Sequence, residues 1–364
     1  MKILFILPRM VTGGVERVTL SLIKDLIVRG YHCELGLLKR NGDFLEEAQK
    51  IVSTYELAPN SLIQYIPNLS KLIQKSEPTH IVTSFHDVAT LSWFGLKLCG
   101  SQAIWLHWVH NTHDKTVAPP GLLGAVKHRL FNLCASFNYK RANKIISVSE
   151  GVRNEILQIY KAPSNKVITI YNPVISNDCF PPCNEVSINK SYSLIIAVGR
   201  LTRQKGFDIL VEAASKIPLP FRIEIWGEGP ERKNLEKLIH KKNLYNSVFL
   251  MGHTFSVHEK IQSSDLFILP SRHEGLPTVL IEALACGANI IATDCPHGPR
   301  EILDDGKFGT LVVPEDPEKL ANAICIALKK NSKGKGKAHV LRAQDFSVQT
   351  ATKKWLEALN SDFN

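Results

Sequence analysis

The sequence predicts an α/β protein built from two doubly wound domains, each with a parallel sheet, that face a central cleft. Three observations support this fold class. Short apolar runs rich in β-branched residues alternate with helix-length segments, the alternation occurs twice, and a stretch rich in proline and asparagine separates the two series. Such near-continuous apolar strands are typical of parallel sheets covered on both faces. Ligands of these sheets bind beyond the carboxyl ends of the strands, so functional residues are expected in the loops there.

The first series spans residues 1–172 and is interpreted as the N-terminal domain. Each predicted strand is a short apolar run followed by enough chain for a helix. The predicted strands are Lys2–Leu7, His32–Leu38, His80–Ser84, Ala103–His107, Ile145–Val148 and the weaker Val167–Ile170.

The second series spans residues 191–346 and is interpreted as the C-terminal domain. Residues 173–190 have little apolar pattern and are interpreted as a linker. Residues 347–364 predict a C-terminal amphipathic helix, which could pack back on the N-terminal domain or dock on the other one. The predicted strands are Leu194–Val198, Phe221–Trp226, Val248–Met251, Leu266–Leu269, Asn289–Ala292 and Thr310–Val313.

Composition excludes several classes of protein. The chain has 364 residues, of which 44% are apolar, and a formal net charge of +10, which argues against disorder. No apolar run reaches the roughly 18–20 residues that span a bilayer. Eight cysteines without CxxC spacing indicate thiols in a reducing cytoplasm. The positive charge suits phosphorylated substrates, anionic lipid or nucleic acid. Nucleic acid is disfavoured, because the sequence has no zinc-finger spacing, no basic-aromatic motif and no arginine-rich arm.

The loop after the first predicted strand contains Gly13 and Gly14. Glycine lets the backbone approach a ligand closely, and the helix that follows presents free N–H groups to an anion. The pattern is not GxGxxG, and no acidic residue ends the second strand, so a nicotinamide cofactor is disfavoured. A simple turn explains the two glycines equally well.

Two cations follow the first strand of the second series. Arg200 comes directly after the strand, and Lys205 precedes the next helix. Cations at a strand end beside a helix start suit a pyrophosphate. The alternative is a solvated basic loop, to which Arg203 would belong.

Two carboxylates, Glu274 and Glu282, lie in the segment HEGLPTVLIEALACG. Pro277 suits the first position of a helix, which places Glu274 in the loop before it and Glu282 in its second turn. Gly275 and the N–H groups near Thr278 can approach a phosphate, and the carboxylates can accept hydrogen bonds from sugar hydroxyls. A surface salt bridge is the alternative for Glu282. Its apolar neighbours instead indicate a buried helix, where a carboxylate needs a partner.

Three histidines, His107, His110 and His113, surround the end of a predicted strand. Closely spaced histidines are potential ligands of a zinc ion. Their order along strand and loop does not form an obvious cage, and no Asp-x-Asp motif occurs in a suitable loop, so no metal is expected. A strand ending near His107 places His110 in a functional loop, with a core or surface position as the alternative. His86 and Asp87 follow the preceding strand and are a second candidate, for an acceptor site.

Together these motifs resemble the signature of retaining glycosyltransferases of the GT-B fold, sequence family 4 (group 1). The resemblance covers essentially the whole chain and depends on the order and spacing of its motifs. Its most specific part is Glu274-x7-Glu282 with the IIATDCPHGPREIL segment that follows. Its other parts are Gly13–Arg17, Ser147–Glu150, Tyr171–Pro173, Gly199–Arg200, Lys205–Gly206, Gly227–Pro230 and Gly252.

The resemblance implies an acceptor-binding N-terminal domain and a C-terminal domain that binds a nucleotide sugar. Arg200 and Lys205 would neutralise the donor diphosphate as it leaves. Glu282 would bind the ribose, Glu274 would hold hydroxyls of the transferred sugar, and His110 would contact that sugar. The implied catalytic residues are His110, Arg200, Lys205 and Glu274, and the implied donor-binding residues are Gly13, Gly14, Arg200, Lys205, Glu274, Gly275, Leu276, Thr278 and Glu282.

The expected reaction is transfer of a hexose or N-acetylhexosamine, with retention, from a nucleotide sugar to a hydroxyl of a glycan or lipid-linked glycan. The resemblance favours a UDP-sugar, no metal and no cofactor, in bacterial cell-surface polysaccharide or lipopolysaccharide assembly. A nucleotide-sugar 2-epimerase of the same fold and a non-catalytic sugar-nucleotide-binding protein are the alternatives. The first would need no acceptor, and the intact charged residues argue against the second.

Basic and apolar side chains also alternate in Lys127–Arg141. A helix of this composition can lie on an anionic membrane surface, which would place the cytoplasmic protein peripherally on the inner face of the membrane. A helix packed in the core with solvated basic ends is the alternative.

Overall fold

The computed structural model describes residues 1–58, 60–61, 64–111, 122–176, 191–254, 256–330 and 336–361. The chain divides into two compact units. Unit 1 comprises Met1–Pro173 and Val348–Asn364, and unit 2 comprises Val174–Ser347. Most of the predicted linker at residues 173–190, and His113, lie outside the described residues.

Unit 1 alternates strands and helices along the chain, as the apolar runs predict. Within the described residues its strands are β1 Lys2–Leu7, β2 His32–Leu37, β3 Ser53–Glu56, β4 His80–Thr83, β5 Ile104–Val109, β6 Lys144–Ser147 and β7 Val167–Thr169. Its helices are α1 Gly14–Val28, α2 Leu45–Ile51, α3 Tyr65–Ser76, α4 His86–Cys99, α5 Leu122–Arg141, α6 Glu150–Gln158 and, from the end of the chain, α14 Val348–Asn360.

The strands of unit 1 form one parallel sheet in the order β3-β2-β1-β4-β5-β6-β7. The strand order reverses between β1 and β4, so the loops after these two strands separate at the carboxyl edge of the sheet. Strand β5 continues to Val109, which pairs with Ser147, and the predicted end of this strand at His107 was therefore wrong. Residue His107 lies inside the strand and His110 directly follows it.

The helix α14 returns the end of the chain to unit 1. Its Trp355 is fully buried and packs edge-to-face on Trp108 of β5, with ring centroids 4.9 Å apart. Lys144 on β6 is also buried and donates to the carbonyl oxygens of Ala358 and Ser361, the latter at 2.7 Å. The C-terminal helix thus belongs to the core of unit 1.

Unit 2 repeats the alternation with a smaller sheet. Within the described residues its strands are β8 Ser193–Val198, β9 Phe221–Trp226, β10 Val248–Gly252, β11 Leu266–Leu269, β12 Ile290–Thr293 and β13 Thr310–Val312. Its helices are α7 Phe207–Ala214, α8 Arg232–Lys241, α9 Val257–Gln262, α10 Thr278–Ala285, α11 Pro299–Ile302, α12 Pro317–Lys330 and α13 Lys337–Ala343.

The sheet of unit 2 is parallel, in the order β10-β9-β8-β11-β12-β13. Its order reverses between β8 and β11. Its core buries apolar side chains from the sheet and from α7, α8 and α12. Because both sheets are doubly wound, the predicted fold class of two parallel-sheet α/β domains is confirmed.

Candidate active site

The predicted cations of unit 2 and the carboxylate Glu274 lie on loops that begin where the strand order of the unit reverses. The loop after β8 carries Arg200 and Lys205, and the loop after β11 carries Glu274. Since β8 and β11 are neighbours in the sheet, the two loops start side by side at its carboxyl edge. This is the position at which doubly wound sheets bind ligands.

A carboxylate with two donors joins these loops. The Nζ of Lys205 lies 2.6 Å from Oε1 of Glu274, and the hydroxyl of Ser271 donates to the same oxygen at 2.6 Å. The side chains of Lys205 and Glu274 are 19% and 6% exposed, and Ser271 is fully buried. A buried carboxylate requires such partners, and hydrogen bonds that involve ionised groups are about twice as strong as neutral ones. The arrangement fixes Glu274 and leaves other N–H donors of Lys205 for a ligand.

Arg272 links the same two loops through hydrogen bonds. Its guanidinium makes two 2.8 Å hydrogen bonds to the two carboxylate oxygens of Asp208 on α7 and a further one to the carbonyl oxygen of Arg203. The amide of Arg272 donates to the carbonyl oxygen of Gln204 at 2.8 Å. A bidentate arginine–carboxylate pair restricts orientation as well as distance. Arg272 therefore sets the spacing of the loops that carry Lys205 and Glu274.

Gly206 is required by this close approach. It has φ of +64°, and a Cβ atom there would lie 2.0 Å from the carbonyl oxygen of Pro270. The first condition favours glycine, and the second excludes any side chain. The Lys205–Gly206 pair of the sequence motif thus combines a cation with the residue that lets its loop contact the loop after β11.

The amino end of α10 lies immediately after Glu274. Thr278 begins the helix, and Leu276 and Glu282 are both 5% exposed. The first N–H groups of a helix have no acceptor within it, so this end suits an anion. Gly275 and Leu276 therefore lie between Glu274 and the start of α10, and Glu282 lies within the helix, which is the local arrangement that the sequence predicts.

Arg200 has a different environment from Lys205. Its side chain is exposed and makes no ion pair with any residue that the structure describes. Of the two predicted cations, Arg200 is available to a ligand directly, whereas Lys205 already contacts Glu274.

Cys295 and Ser271 are site residues to which the sequence analysis gave no role. Burial, followed by the negative charge of Glu274, raises the pKa of the Cys295 thiol to about 12, so this side chain is a neutral neighbour of the carboxylate. Ser271 lies two residues after the predicted strand, and its proximity to Glu274 in the sequence could have identified it.

In unit 1, Gly13 and Gly14 lie at the start of α1. A Cβ atom on Gly13 would lie 2.3 Å from Oε2 of Glu16, and Gly14 is the first residue of the helix. The preceding loop is fixed by hydrogen bonds from Met10 to Asn41 and from Phe44 to Met10, at 2.9 and 2.8 Å. The two glycines therefore lie at the start of a helix, in which Gly14 is the first residue.

His110 follows β5 and packs on Trp108, with ring centroids 4.4 Å apart. The residue is half-buried, but both of its ring nitrogens are buried and have no hydrogen-bond partner among the described residues. Burial, and to a smaller extent the neighbouring His107, lowers the pKa of the His110 imidazole to about 3. The ring is neutral near pH 7, with one nitrogen able to donate and the other able to accept.

His86 lies inside a buried hydrogen-bond network, in contrast to Asp87, which is exposed. Its Nδ1 lies 2.8 Å from Nε2 of His107, and its Nε2 lies 3.3 Å from the hydroxyl of Tyr139. His86 also begins α4 beside the strand-order reversal of unit 1. The sequence places it correctly after a strand but gives no sign of its burial.

The question of a metal site concerns the same histidines. The described residues contain no group of three histidine, cysteine, aspartate or glutamate side chains arranged to hold a metal ion. His107 instead uses its two nitrogens in contacts with Thr83 and His86.

Two family models match the chain. Residues 184–342 match "Glycosyl transferases group 1", and residues 12–177 match "Glycosyltransferase Family 4". The matched ranges correspond closely to the two doubly wound units, with the Lys205–Glu274 cluster inside the first range and Gly14 and His110 inside the second.

Individual proteins agree with these models. An uncharacterized glycosyltransferase of Methanocaldococcus jannaschii is 26% identical over 345 residues, which cover 82% of this chain and 83% of that protein. A Campylobacter jejuni N-acetylgalactosamine-N,N'-diacetylbacillosaminyl-diphospho-undecaprenol 4-alpha-N-acetylgalactosaminyltransferase is 29% identical over 178 residues, covering 49% and 48%. The fold is shared with Anabaena HepE in a structure with UDP and glucose, at 21% identity, a TM-score of 0.80 and coverage of 100% of both chains. With both units matched, this chain belongs to the group 1 glycosyltransferases of family 4 and is a glycosyl-transferring enzyme of the GT-B fold.

Proposed function

We propose that this enzyme transfers a hexose or N-acetylhexosamine, with retention of configuration, from a UDP-sugar to a hydroxyl of a glycan or lipid-linked glycan in bacterial cell-surface polysaccharide synthesis. The observation that carries the proposal is the Lys205–Glu274–Ser271 cluster, which combines a cation with a fixed carboxylate beside the amino end of α10. A nucleotide sugar needs both, because its diphosphate is anionic and its sugar presents hydroxyl donors.

The leaving diphosphate is the first requirement of the reaction. In the proposed step the bond between the anomeric carbon and the phosphate oxygen breaks, the acceptor oxygen bonds to that carbon on the same face, and the acceptor proton passes to the departing phosphate. Arg200 and Lys205 stabilise the negative charge that develops there, together with the N–H groups at the start of α10. Arginine and lysine side chains thereby neutralise the charge that a metal ion could otherwise neutralise, and we propose a reaction without metal or cofactor.

The donor sugar and nucleoside are the second requirement. Glu274 holds hydroxyls of the transferred sugar with the N–H groups of Gly275 and Leu276, and Glu282 binds the ribose. On unit 1, the neutral His110 contacts the transferred sugar, and the Gly13–Gly14 loop admits the diphosphate. The UDP bound by HepE, which shares this fold, supports uridine as the nucleoside.

The acceptor is assigned by class. The Campylobacter relative is named for transfer to a diphospho-undecaprenol glycan, which supports a lipid-linked acceptor here. Asp87 is exposed and can accept a hydrogen bond from an acceptor hydroxyl, while the buried His86 beside it holds the start of α4.

The test is a panel of UDP- and GDP-sugars offered to the purified protein with and without membrane-extracted lipid-linked glycans. We expect UDP release from one UDP-sugar that rises at least about tenfold with the acceptor, and that persists in EDTA. The product's anomeric configuration, read by NMR, should match that of the donor.

Three results would contradict the proposal. An epimerase would convert the donor to a 2-epimer without an acceptor. A non-catalytic binding protein would be stabilised thermally by a nucleotide sugar but release no nucleotide. Loss of activity in EDTA, restored by a divalent cation, would overturn the metal-independent step.

A further inference from the structure

The outer surface of α4 and α5 in unit 1 combines exposed apolar side chains with cations. Val126, Leu130 and Leu133 on α5 are 47%, 55% and 59% exposed, and Phe94 and Leu98 on α4 are 46% and 65% exposed. We call these residues, together with Phe137, the α4–α5 surface. Single exposed apolar residues are ordinary, but a contiguous group marks an interaction site.

The α4–α5 surface is continuous across the two helices. On α5 the residues Val126, Leu130, Leu133 and Phe137 are spaced by four, three and four, so they share one stripe of the helix. Phe137 stacks on Phe94 of α4 with an interplanar angle of 13°, and both rings meet Trp93 at 5.1 Å between centroids. The opposite side of α5 is already used, because Ala135 and Tyr139 are fully buried. Helix α5 therefore carries apolar residues on two sides, and the core of unit 1 explains only one.

Cations border the stripe. Arg129 and Lys140 lie along one side of it by helical spacing, and Lys127 and Arg141 lie along the other. The guanidinium carbon of Arg141 lies 5.4 Å from the centroid of Trp93, which keeps the charge over the aromatic group. Helix α5 contains no aspartate or glutamate. A surface of this kind fits a partner that is apolar within and anionic at its boundary.

We propose that the α4–α5 surface binds an anionic lipid bilayer, with its apolar stripe at the headgroup boundary and its cations on lipid phosphates. Interfacial helices combine these two features, and each lysine or arginine near the surface adds to the attraction. A second copy of this chain fits less well, because it would bring one set of cations against another. Among the described residues no helix is long and apolar enough to cross a membrane. The surface is independent of the donor chemistry proposed above, although it would bring the enzyme to a lipid-linked acceptor.

The experiment is sedimentation of the full chain with phosphatidylcholine vesicles that contain or lack phosphatidylglycerol. One variant combines Arg129→Gln and Lys140→Gln, and another combines Leu130→Ser and Leu133→Ser, all at exposed positions. The matched controls are Lys71→Gln with Lys75→Gln on exposed positions of α3, and Ile326→Ser with Leu341→Ser, which are 57% and 62% exposed in unit 2. Circular dichroism establishes that each variant is folded.

We expect the wild-type chain to bind the vesicles that contain phosphatidylglycerol and to bind pure phosphatidylcholine far more weakly. The charge variant should lower the partition coefficient about 30-fold, and the apolar variant about tenfold or more, while both controls behave as wild type. Raising salt from about 0.1 M to about 1 M should weaken binding, and inorganic phosphate at equal ionic strength should not compete beyond that.

Either of two outcomes would overturn the proposal. The wild-type chain could fail to bind anionic vesicles, or the two variants could bind as wild type does. If the apolar variant instead converts an oligomer to monomer in size-exclusion chromatography, with vesicle binding unchanged, the surface is an interface between copies. Donor-dependent UDP release measured with a soluble acceptor would be unaffected in every case, so failure here differs from failure of the proposed function.

Discussion

In the proposed reaction Lys205 has two electrostatic tasks, and the surrounding residues make them compatible. It neutralises the buried Glu274, with Nζ and Oε1 2.6 Å apart. Ser271 donates to the same carboxylate oxygen, so Glu274 keeps a hydrogen bond if Lys205 turns partly toward a phosphate. An ammonium group has three donors and can serve a carboxylate and a phosphate together. In the proposed reaction, little of this preorganised residue pair therefore has to move when the leaving group acquires charge.

Replacing this lysine tests that view. Lys205→Ala removes a charge contact to the departing phosphate and leaves Glu274 with one fewer partner, so turnover should fall roughly 100-fold or more. Arg203→Ala is the matched control, because Arg203 lies two positions earlier in the same loop with an exposed side chain. Steady-state rates of UDP release measure both variants. Equal rates for Lys205→Ala and the wild type would contradict the assignment of Lys205 to the diphosphate.

Strands that are buried on both faces were predicted well, because burial gives them an apolar sequence. A strand that is defined only by its pairing with a neighbour was missed. The apolar strands β1, β8 and β11 were placed within one residue, because strands buried on both faces are continuous apolar runs. Strand β3 was missed. Its sequence is STYE, its burial is partial, and it lies at the sheet edge beside β2, so only pairing defines it.

Site residues could likewise be predicted from the sequence only where a local pattern determines their position. Gly206, Lys205 and Glu274 belong to loops whose positions follow from strand ends, and the sequence therefore identifies them. The burial of His86 and the role of Arg272 depend on Tyr139 and Asp208, which are distant in sequence. No local pattern contains these pairs, since they arise when separate elements pack.

A buried lysine contributes to the attachment of α14 to unit 1. Lys144 is 3% exposed and donates to Ala358 and Ser361 at the carboxyl end of the helix, where carbonyl groups lack partners within it. Lys144→Met keeps most of the side-chain volume but removes the donors. We expect it to lower the free energy of unfolding by about 2–4 kcal/mol.

Urea denaturation measures this change, and Lys353→Met is the control because Lys353 lies exposed on the same helix. That control should alter stability by less than about 0.5 kcal/mol. If Lys144→Met unfolds at the urea concentration of the wild type, the buried charge does not hold α14 in place.

At the scale of the whole molecule, the tryptophans are distributed unequally between the two units. Four of the five tryptophans, Trp93, Trp105, Trp108 and Trp355, belong to unit 1, and Trp226 belongs to unit 2. Tryptophan fluorescence therefore follows chiefly the unfolding of unit 1. Unit 1 also contains the buried histidines His80, His86 and His107, and His110, whose two ring nitrogens are buried.

These histidines should make unit 1 sensitive to acid. Burial lowers the pKa of His107 to about 4 and that of His110 to about 3, and it also lowers that of His80. In the unfolded chain a histidine titrates near 6.5, so below about pH 6.5 the unfolded state binds protons that the folded state does not. The stability due to the neutral rings is complete above that pH and is lost as pH falls toward the folded pKa values. His107 and His110 together should cost about 3–4 kcal/mol between about pH 6.5 and pH 5.

Urea denaturation followed by tryptophan fluorescence at several pH values between about 7 and 5 measures this loss. Below about pH 6 the slope should approach about 1.4 kcal/mol per pH unit for each histidine that stays neutral, so His110→Gln should reduce it there by about that amount. His32→Gln is the control, since His32 is an exposed histidine of unit 1. Carboxylates titrate mainly below this range, and a free energy of unfolding that stays constant from pH 7 to pH 5 would show that the two rings become protonated in the folded protein. His110 would then be mostly neutral only above about pH 6.5, so the acid dependence of the stability of unit 1 measures whether this candidate site residue keeps its neutral form in mild acid.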